Sequence, residues 1–214
     1  MASRRPQRRC GPLPGPESPR LLATFGRARA ARETRARAIV ERLEEDFPIT
    51  WEDVRTRAPE DGPIGRPHIA DALVDAGVFA DRSAAFREVL HPSGRYYVHH
   101  WAPDPVEAVE LLLEAGGVPV LAHPKARARQ RLLPEATIGA MTEAGLFGIE
   151  RDHRDHEAAD RAEVDALAAR FGLAIFGSSD YHGTGKPNRL GENLTDPAVF
   201  AEVEARGRIG VVRP

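Results

Sequence analysis

The chain has 214 residues, 42% of them hydrophobic and 29% charged, a balance that suits one soluble globular domain or one domain with an appendage. It holds no apolar run of about 18 residues, which excludes a transmembrane helix, and Met1 leads into an arginine-rich stretch without the apolar core of a secretory signal. Cys10 is the only cysteine, so an internal disulfide and a thiolate zinc cluster are excluded and a reducing cytoplasm is the expected compartment.

A net charge of -2 conceals an asymmetry. Residues 1–42 hold eleven arginines against Glu17, Glu33 and Glu41, and the remainder carries an excess of ten negative charges. A basic arm suits nucleic acid. Lys125 and Lys186 are the only lysines, however, so arginine is how basic positions are written throughout, and coding bias explains the arm better than binding does. Residues 1–20 are rich in proline and arginine and poor in large apolar side chains, so they are expected to form a disordered arm.

Folded patterning begins near Leu21. From Arg27 to Glu45 good helix formers carry Ile39, Val40 and Leu43 on one face, and Pro48 closes that segment. Thr50-Trp51-Glu52-Asp53 resembles a capping box opening a short helix. Gly65-Arg66-Pro67-His68 leads into another, with Ile69, Leu73 and Val74 as its apolar stripe. Asp81 or Ser83 caps a fourth helix through Leu90, so residues 27–90 read as short helices without a strand. Trp51 and Trp101 read as packing anchors.

After Trp101 the pattern alternates. Asp104-Pro105 opens a helix that Gly116-Gly117 stops, and Val118 to Ala122 is a wholly apolar run, as in a strand buried on both faces. A helix near 135–144 precedes a strand Leu146–Glu150, and a helix over 157–171 precedes a strand Leu173–Gly177. Asp196-Pro197 opens a last helix, and Ile209–Val212 is a final strand. This alternation requires a parallel sheet or barrel.

Polar groups stand where these strands end: His123 after the first, Glu150 at the second, Asp180 and His182 after the third. In parallel α/β folds the carboxyl ends of strands form the active-site rim. Imidazole and carboxylate are ligands for divalent Zn, Mn or Fe, and Asp-x-His, flanked by Gly177 and Gly183, can present both side chains to one ion. His123, Asp180 and His182 are therefore the candidate metal ligands. Arg66 and His68 read either as a substrate-phosphate pair or as helix-capping and packing residues. His153 and His156 read either as substrate contacts or as a solvated loop. Lys186 is a possible phosphate partner, and His91, His99 and His100 read as loop residues.

Leu121-Ala122-His123-Pro124, Gly148-Ile149-Glu150 with His153 and His156, and Gly177-Ser178-Ser179-Asp180-Tyr181-His182-Gly183 resemble the PHP (polymerase and histidinol phosphatase) superfamily. Gly65 to Ala70, and Tyr96-Tyr97-Val98 followed by Ala102 to Val109, resemble its stand-alone metal-dependent phosphoesterases. The resemblance implies a distorted (β/α)7 barrel with a helical insertion. Residues 21–103 would be the helical insertion and 104–214 the C-terminal half of the barrel. It further implies divalent ions at the strand ends that activate water for attack on phosphorus, with nucleotide or RNA-end phosphates as substrates. The family's opening strand ends in His-x-His, followed by an Asp, a second His and a Glu, and these are not found here. The chain is thus expected to be an N-terminally truncated partial barrel with sub-stoichiometric metal, impaired activity and an open edge prone to self-association. The alternatives are a non-catalytic remnant and an Arg-rich nucleic-acid-binding protein.

Overall fold

The computed structural model describes residues 18–59, 62, 64–127, 130–181 and 188–210. The chain divides into two compact units, one of residues 23–102 and one of residues 103–214 with the first 22 residues. Most of the basic arm, and His182 and Lys186, lie outside the described residues.

The first helix, α1 (Pro19–Leu43), starts at Pro19 rather than Arg27 and runs for 25 residues, longer than the short helices the sequence suggests. Proline tolerates the first turn of a helix. The Ser18 hydroxyl accepts from the Leu21 N–H at 3.4 Å, and the Ser18 carbonyl accepts from Leu22 at 2.9 Å. Leu21 is buried with Leu111 and Ala115, which orders a turn that composition alone would leave in the arm.

In the helical unit α1 is followed by α2 (Trp51–Arg55), α3 (Arg66–Asp75) and α4 (Arg82–Glu88). The capping box at α2 is present: the Thr50 hydroxyl accepts from Asp53 N–H at 3.3 Å and Asp53 Oδ2 accepts from Thr50 N–H at 2.8 Å. Asp81, not Ser83, caps α4 by accepting from Ala84 N–H at 2.8 Å. Ile39, Val40, Leu43, Val54, Ile69 and Leu73 fill the core between these helices. Trp51 packs against that core beneath the guanidinium of Arg37, and Arg27 covers Trp101 at 3.9 Å.

The second unit alternates α5 (Pro105–Glu114), β1 (Val120–Leu121), α6 (Glu135–Glu143), β2 (Gly148–Asp152), α7 (Ala158–Phe171), β3 (Ala174–Gly177) and α8 (Pro197–Arg206). The strands form one parallel sheet in the order β1-β2-β3, with Leu121, Ile149 and Ile175 in register. Helix α7 ends on Gly172 in the left-handed region at φ 66°, which glycine occupies without steric cost.

Two strand expectations need correction. β1 has two residues instead of five, and both are half-buried rather than enclosed. Pro119 has no N–H to donate and contributes only its carbonyl, to Phe147 N–H at 2.9 Å, so the ladder starts after it. Ile209 and Gly210 are not strand; the preceding Arg208 N–H instead donates to Gly116 O, while Val211 and Val212 lie outside the described residues.

A charged cluster joins the β1–α6 loop to α7. Arg127 donates to Asp160 at 2.9 Å and to Glu163 at 2.8 Å, and Lys125 Nζ lies 2.7 Å from Glu163. The hydrogen bond from Arg127 holds the Asp160 carboxyl below its usual range, and that from Lys125 does the same for Glu163. The folded state therefore binds fewer protons here than the unfolded one. The contribution is complete above the unfolded carboxylate pKa of about 4 and is lost as pH falls through the folded values. The melting temperature should drop between about pH 5 and 3, less steeply in Asp160→Asn. Equal acid slopes for the two proteins would contradict this account.

Candidate functional site

The site is built at the carboxyl ends of β1, β2 and β3. His123 lies just past β1 and Asp180 just past β3, and they are the two non-glycine residues with positive φ among those described, at 31° and 46°. Left-handed backbone is costly for side chains with a Cβ, of order 1–3 kcal/mol, and persists only where surrounding contacts impose it. Those contacts are visible. The His123 N–H donates to the buried carboxylate of Glu150 on β2, and the His123 carbonyl accepts from Gln130 at 3.1 Å. The Asp180 N–H donates to the Ser178 hydroxyl at 3.2 Å, and Asn188 holds the Ser179 carbonyl at 2.8 Å.

His153, just past β2, occupies the middle. Its side chain is fully buried. Its ring centroid lies 5.2 Å from that of His123, and its Nε2 lies 3.8 Å from Asp180 Oδ2. His153 Nε2 and His123 Nδ1 are buried without hydrogen-bond partners. Burial is the main cause that pushes the His153 pKa down, against the opposing pull of Glu150, Asp155 and Asp180. The unpartnered Nδ1 of His123 and the Asp180 carboxylate are donor types of a divalent-metal site. His153 Nδ1 accepts from the Asp155 N–H at 3.1 Å, so the proton of the neutral ring sits on Nε2, facing the Asp180 carboxylate.

His156 differs. Its Nδ1 donates to Arg151 O at 2.8 Å and its Nε2 accepts from the Lys125 N–H at 3.2 Å, so both nitrogens are engaged in tying the β1 loop to the β2 loop. The bidentate pair of Arg154 with Glu192, at 2.9 and 3.0 Å, ties the β2 loop to the segment that follows β3 and holds the Glu192 carboxyl below its usual range.

The structure thus brings together His123, Asp180 and His153 around Glu150, while His182 lies outside the described residues. Among the described residues no group of three or more His, Cys, Asp or Glu side chains is placed to hold a metal ion. The orphaned Nδ1 of His123 nevertheless fits a divalent ion chemically. Arg66 and His68 belong to the helical unit. There His68 Nδ1 accepts from Gly65 N–H at 3.2 Å at the start of α3, and Arg66 donates to Leu90 O at 2.9 Å. His68 thus caps α3, Arg66 ties its first turn to the segment after α4, and both side chains also line a cavity of that unit. His153, a candidate substrate contact in the sequence, stands centrally between His123 and Asp180. A His three residues past a strand-end Glu was the available signal, and only the turn after β2 shows where it points.

No family model matches the chain. A 3',5'-nucleoside bisphosphate phosphatase of Chromobacterium violaceum is 33% identical over 211 residues, covering 93% of this chain and 70% of that protein. A phosphoribosyl 1,2-cyclic phosphate 1,2-diphosphodiesterase of Eggerthella lenta is 46% identical over 80 residues, 37% of this chain and 29% of that protein. Among solved structures, a Bifidobacterium adolescentis protein described as a metal-dependent phosphoesterase superposes with a TM-score of 0.85 at 43% identity, covering 91% of this chain and 69% of that one. Among the described residues no helix is long and apolar enough to cross a membrane. With the parallel sheet, its strand-end histidines and aspartate, and relatives of this kind, the chain belongs to the PHP superfamily of metal-dependent phosphoesterases, a family of hydrolases.

Proposed function

We propose that the chain is a cytoplasmic member whose strand ends hold a divalent Mn, Zn or Fe ion and hydrolyse a phosphoester of a nucleotide or an RNA end. The supporting observation is that His123 and Asp180 are both held in strained left-handed backbone on either side of the unsatisfied Nε2 of His153. The ligands in this reading are His123, Asp180 and His182, with the Nε2–H of His153 beside them to contact substrate. When bound, the ion polarises a phosphoryl oxygen and lowers the pKa of its water. The chain's own residues orient that centre: Glu150 fixes the backbone of His123, the Asp155 N–H holds Nδ1 of His153 so that its Nε2–H faces the site, and His156 braces two loops against each other. Arg66 and His68 serve the substrate phosphate, since a guanidinium offers a planar fork to oxyanions. In this reading the second unit is a partial distorted (β/α)7 barrel and the helical unit its insertion.

The 214-residue chain by itself should hold little metal and turn over slowly. Glu150 is committed to the His123 N–H, which leaves Asp180 as the one carboxylate among the proposed ligands to hold several cations together. The test is a Mn titration followed by electron paramagnetic resonance, alongside phosphate release from nucleotide substrates. Sub-stoichiometric Mn that disappears in Asp180→Asn, with slow release that disappears with it, is the expected result. Turnover unaffected by Asp180→Asn would overturn the site. Fast turnover abolished by His182→Ala would overturn the impairment.

Self-association belongs to the same proposal. Both outer edges of the described sheet lack a strand partner, and Leu190 and Leu194 are 81% and 75% exposed. Exposed edges and apolar side chains favour pairing with another chain. Sedimentation should show concentration-dependent dimers or larger species; a monomer at all concentrations would contradict it.

A further inference from the structure

The segment that follows β3 folds back along the end of that strand and holds three successive residues of it by their backbone. The Thr195 hydroxyl accepts from the Gly177 N–H at 3.1 Å and donates to the Gly177 carbonyl at 2.9 Å. The Asn193 amide donates to the Ser178 carbonyl at 3.4 Å, and the Asn188 amide to the Ser179 carbonyl at 2.8 Å. Asn188 and Ser179 are both buried. A Cβ at Gly177 would collide with the Leu194 carbonyl, so glycine there is what lets the two backbones approach.

The next residue is Asp180, whose φ of 46° must be imposed by its surroundings. The ladder to β2 ends before it, where the Ser178 N–H donates to Asp152 O at 3.0 Å. The Asp180 N–H reaches back only to the Ser178 hydroxyl, which closes a turn without saying where the turn stands. A further contact ties the same segment to His153. Arg154, the residue after His153, meets Glu192 in a planar two-bond pair at 2.9 and 3.0 Å, and the Arg189 N–H donates to Glu192 Oε2 at 3.1 Å. Such a pair fixes orientation as well as distance, while its partial exposure leaves it little weight in stability.

We propose that residues 188–195 are a positioning clasp for the strand-end centre: Asn188, Asn193 and Thr195 set where Asp180 stands, and the Arg154–Glu192 pair locks that placement to the turn bearing His153. His153 Nε2 lies 3.8 Å from Asp180 Oδ2, and the clasp governs that separation. None of the clasp residues is a ligand or a substrate contact, so they act through Asp180. The inference rests on the reading of Asp180 as a metal ligand and deepens it, since the affinity of the centre is then set from outside the strand ends.

The experiment uses the full chain and follows Mn binding by electron paramagnetic resonance, the melting temperature, and amide exchange at Asp180 without metal. Thr195→Val removes both bonds to Gly177 at nearly constant volume, and Thr195→Ser keeps the hydroxyl. Thr195→Val should weaken Mn binding by about tenfold, the lower end of the range for groups that orient a metal ligand, and Thr195→Ser should stay near wild type. Asp180 amide exchange should be faster in Thr195→Val. Glu192→Gln should also weaken Mn by about tenfold, at the wild-type melting temperature. Val164→Ala empties a site that is 0% exposed in the core of the same unit, so it should melt lower and bind Mn as the wild type does. Equal loss of Mn in Val164→Ala would reduce the clasp to general stability and overturn the proposal. So would loss in Thr195→Ser as large as in Thr195→Val, or wild-type affinity in both Thr195→Val and Glu192→Gln while Asp180→Asn abolishes binding. Failure of the strand-end reading looks different: Mn binding is then unchanged in Asp180→Asn itself.

Discussion

Ile149→Ala should lower the stability of the second unit by about 2–5 kcal/mol, the range for emptying a fully buried branched aliphatic site. Ile149 is 0% exposed at the centre of β2, in register with Leu121 on one side and Ile175 on the other. It packs within the cluster of Val109, Ile138, Met141, Val164 and Leu173 contributed by the flanking helices and the turn into β3. A middle strand between two short neighbours has little freedom to collapse onto the cavity. The readout matters, because Trp51 and Trp101, the chain's two tryptophans, are both in the helical unit, so their fluorescence follows that unit alone. Hydrogen exchange at the β2 amides is the direct measure. Leu190→Ala, at a side chain 81% exposed, should stay within about 0.5 kcal/mol and serves as the control. Unchanged β2 protection in Ile149→Ala would show that the sheet is not the cooperative unit of this half of the chain.

The elements most legible in the sequence are those with local instructions. Thr50, Asp81, Asp104 and Asp196 each accept a backbone N–H at the start of a helix, and each is a residue type that does so with no help from the rest of the fold. The strand ends were legible for a related reason: an apolar run followed by His or by Asp-x-His has few other uses. What failed depended on distant contacts. The first turn of α1 is ordered by Leu21 against Leu111 and Ala115, 90 and 94 positions away. The extent of β1 is set by which amides of the β2 strand and its approach can reach it. The site residues divide in the same way. His123 and Asp180 announce themselves by position, whereas Asn188, Asn193 and Thr195 meet the backbone of residues 177–179 only because the segment after β3 folds back along it. No spacing within the sequence encodes that meeting.

Glu150→Ala should weaken metal binding by about 10–100-fold, as loss of a group that orients a metal ligand does, while leaving the fold intact. Glu150 is 4% exposed, and its carboxylate accepts the His123 N–H. That bond and the one from Gln130 to the His123 carbonyl are what hold His123 at φ 31°. Without it the backbone is free to relax toward an ordinary conformation, a gain of order 1–3 kcal/mol that carries the imidazole away from His153. Glu150→Gln keeps an acceptor oxygen for the N–H and loses the charge, so it separates positioning from electrostatics. If Glu150 acts by position, the glutamine variant retains most of the Mn affinity and the alanine variant loses it. If it acts by charge, or binds the ion itself, both variants lose it equally. Mn titrations by electron paramagnetic resonance, with amide exchange at His123 as a structural readout, distinguish these outcomes. Wild-type Mn affinity in Glu150→Ala would remove Glu150 from the site altogether.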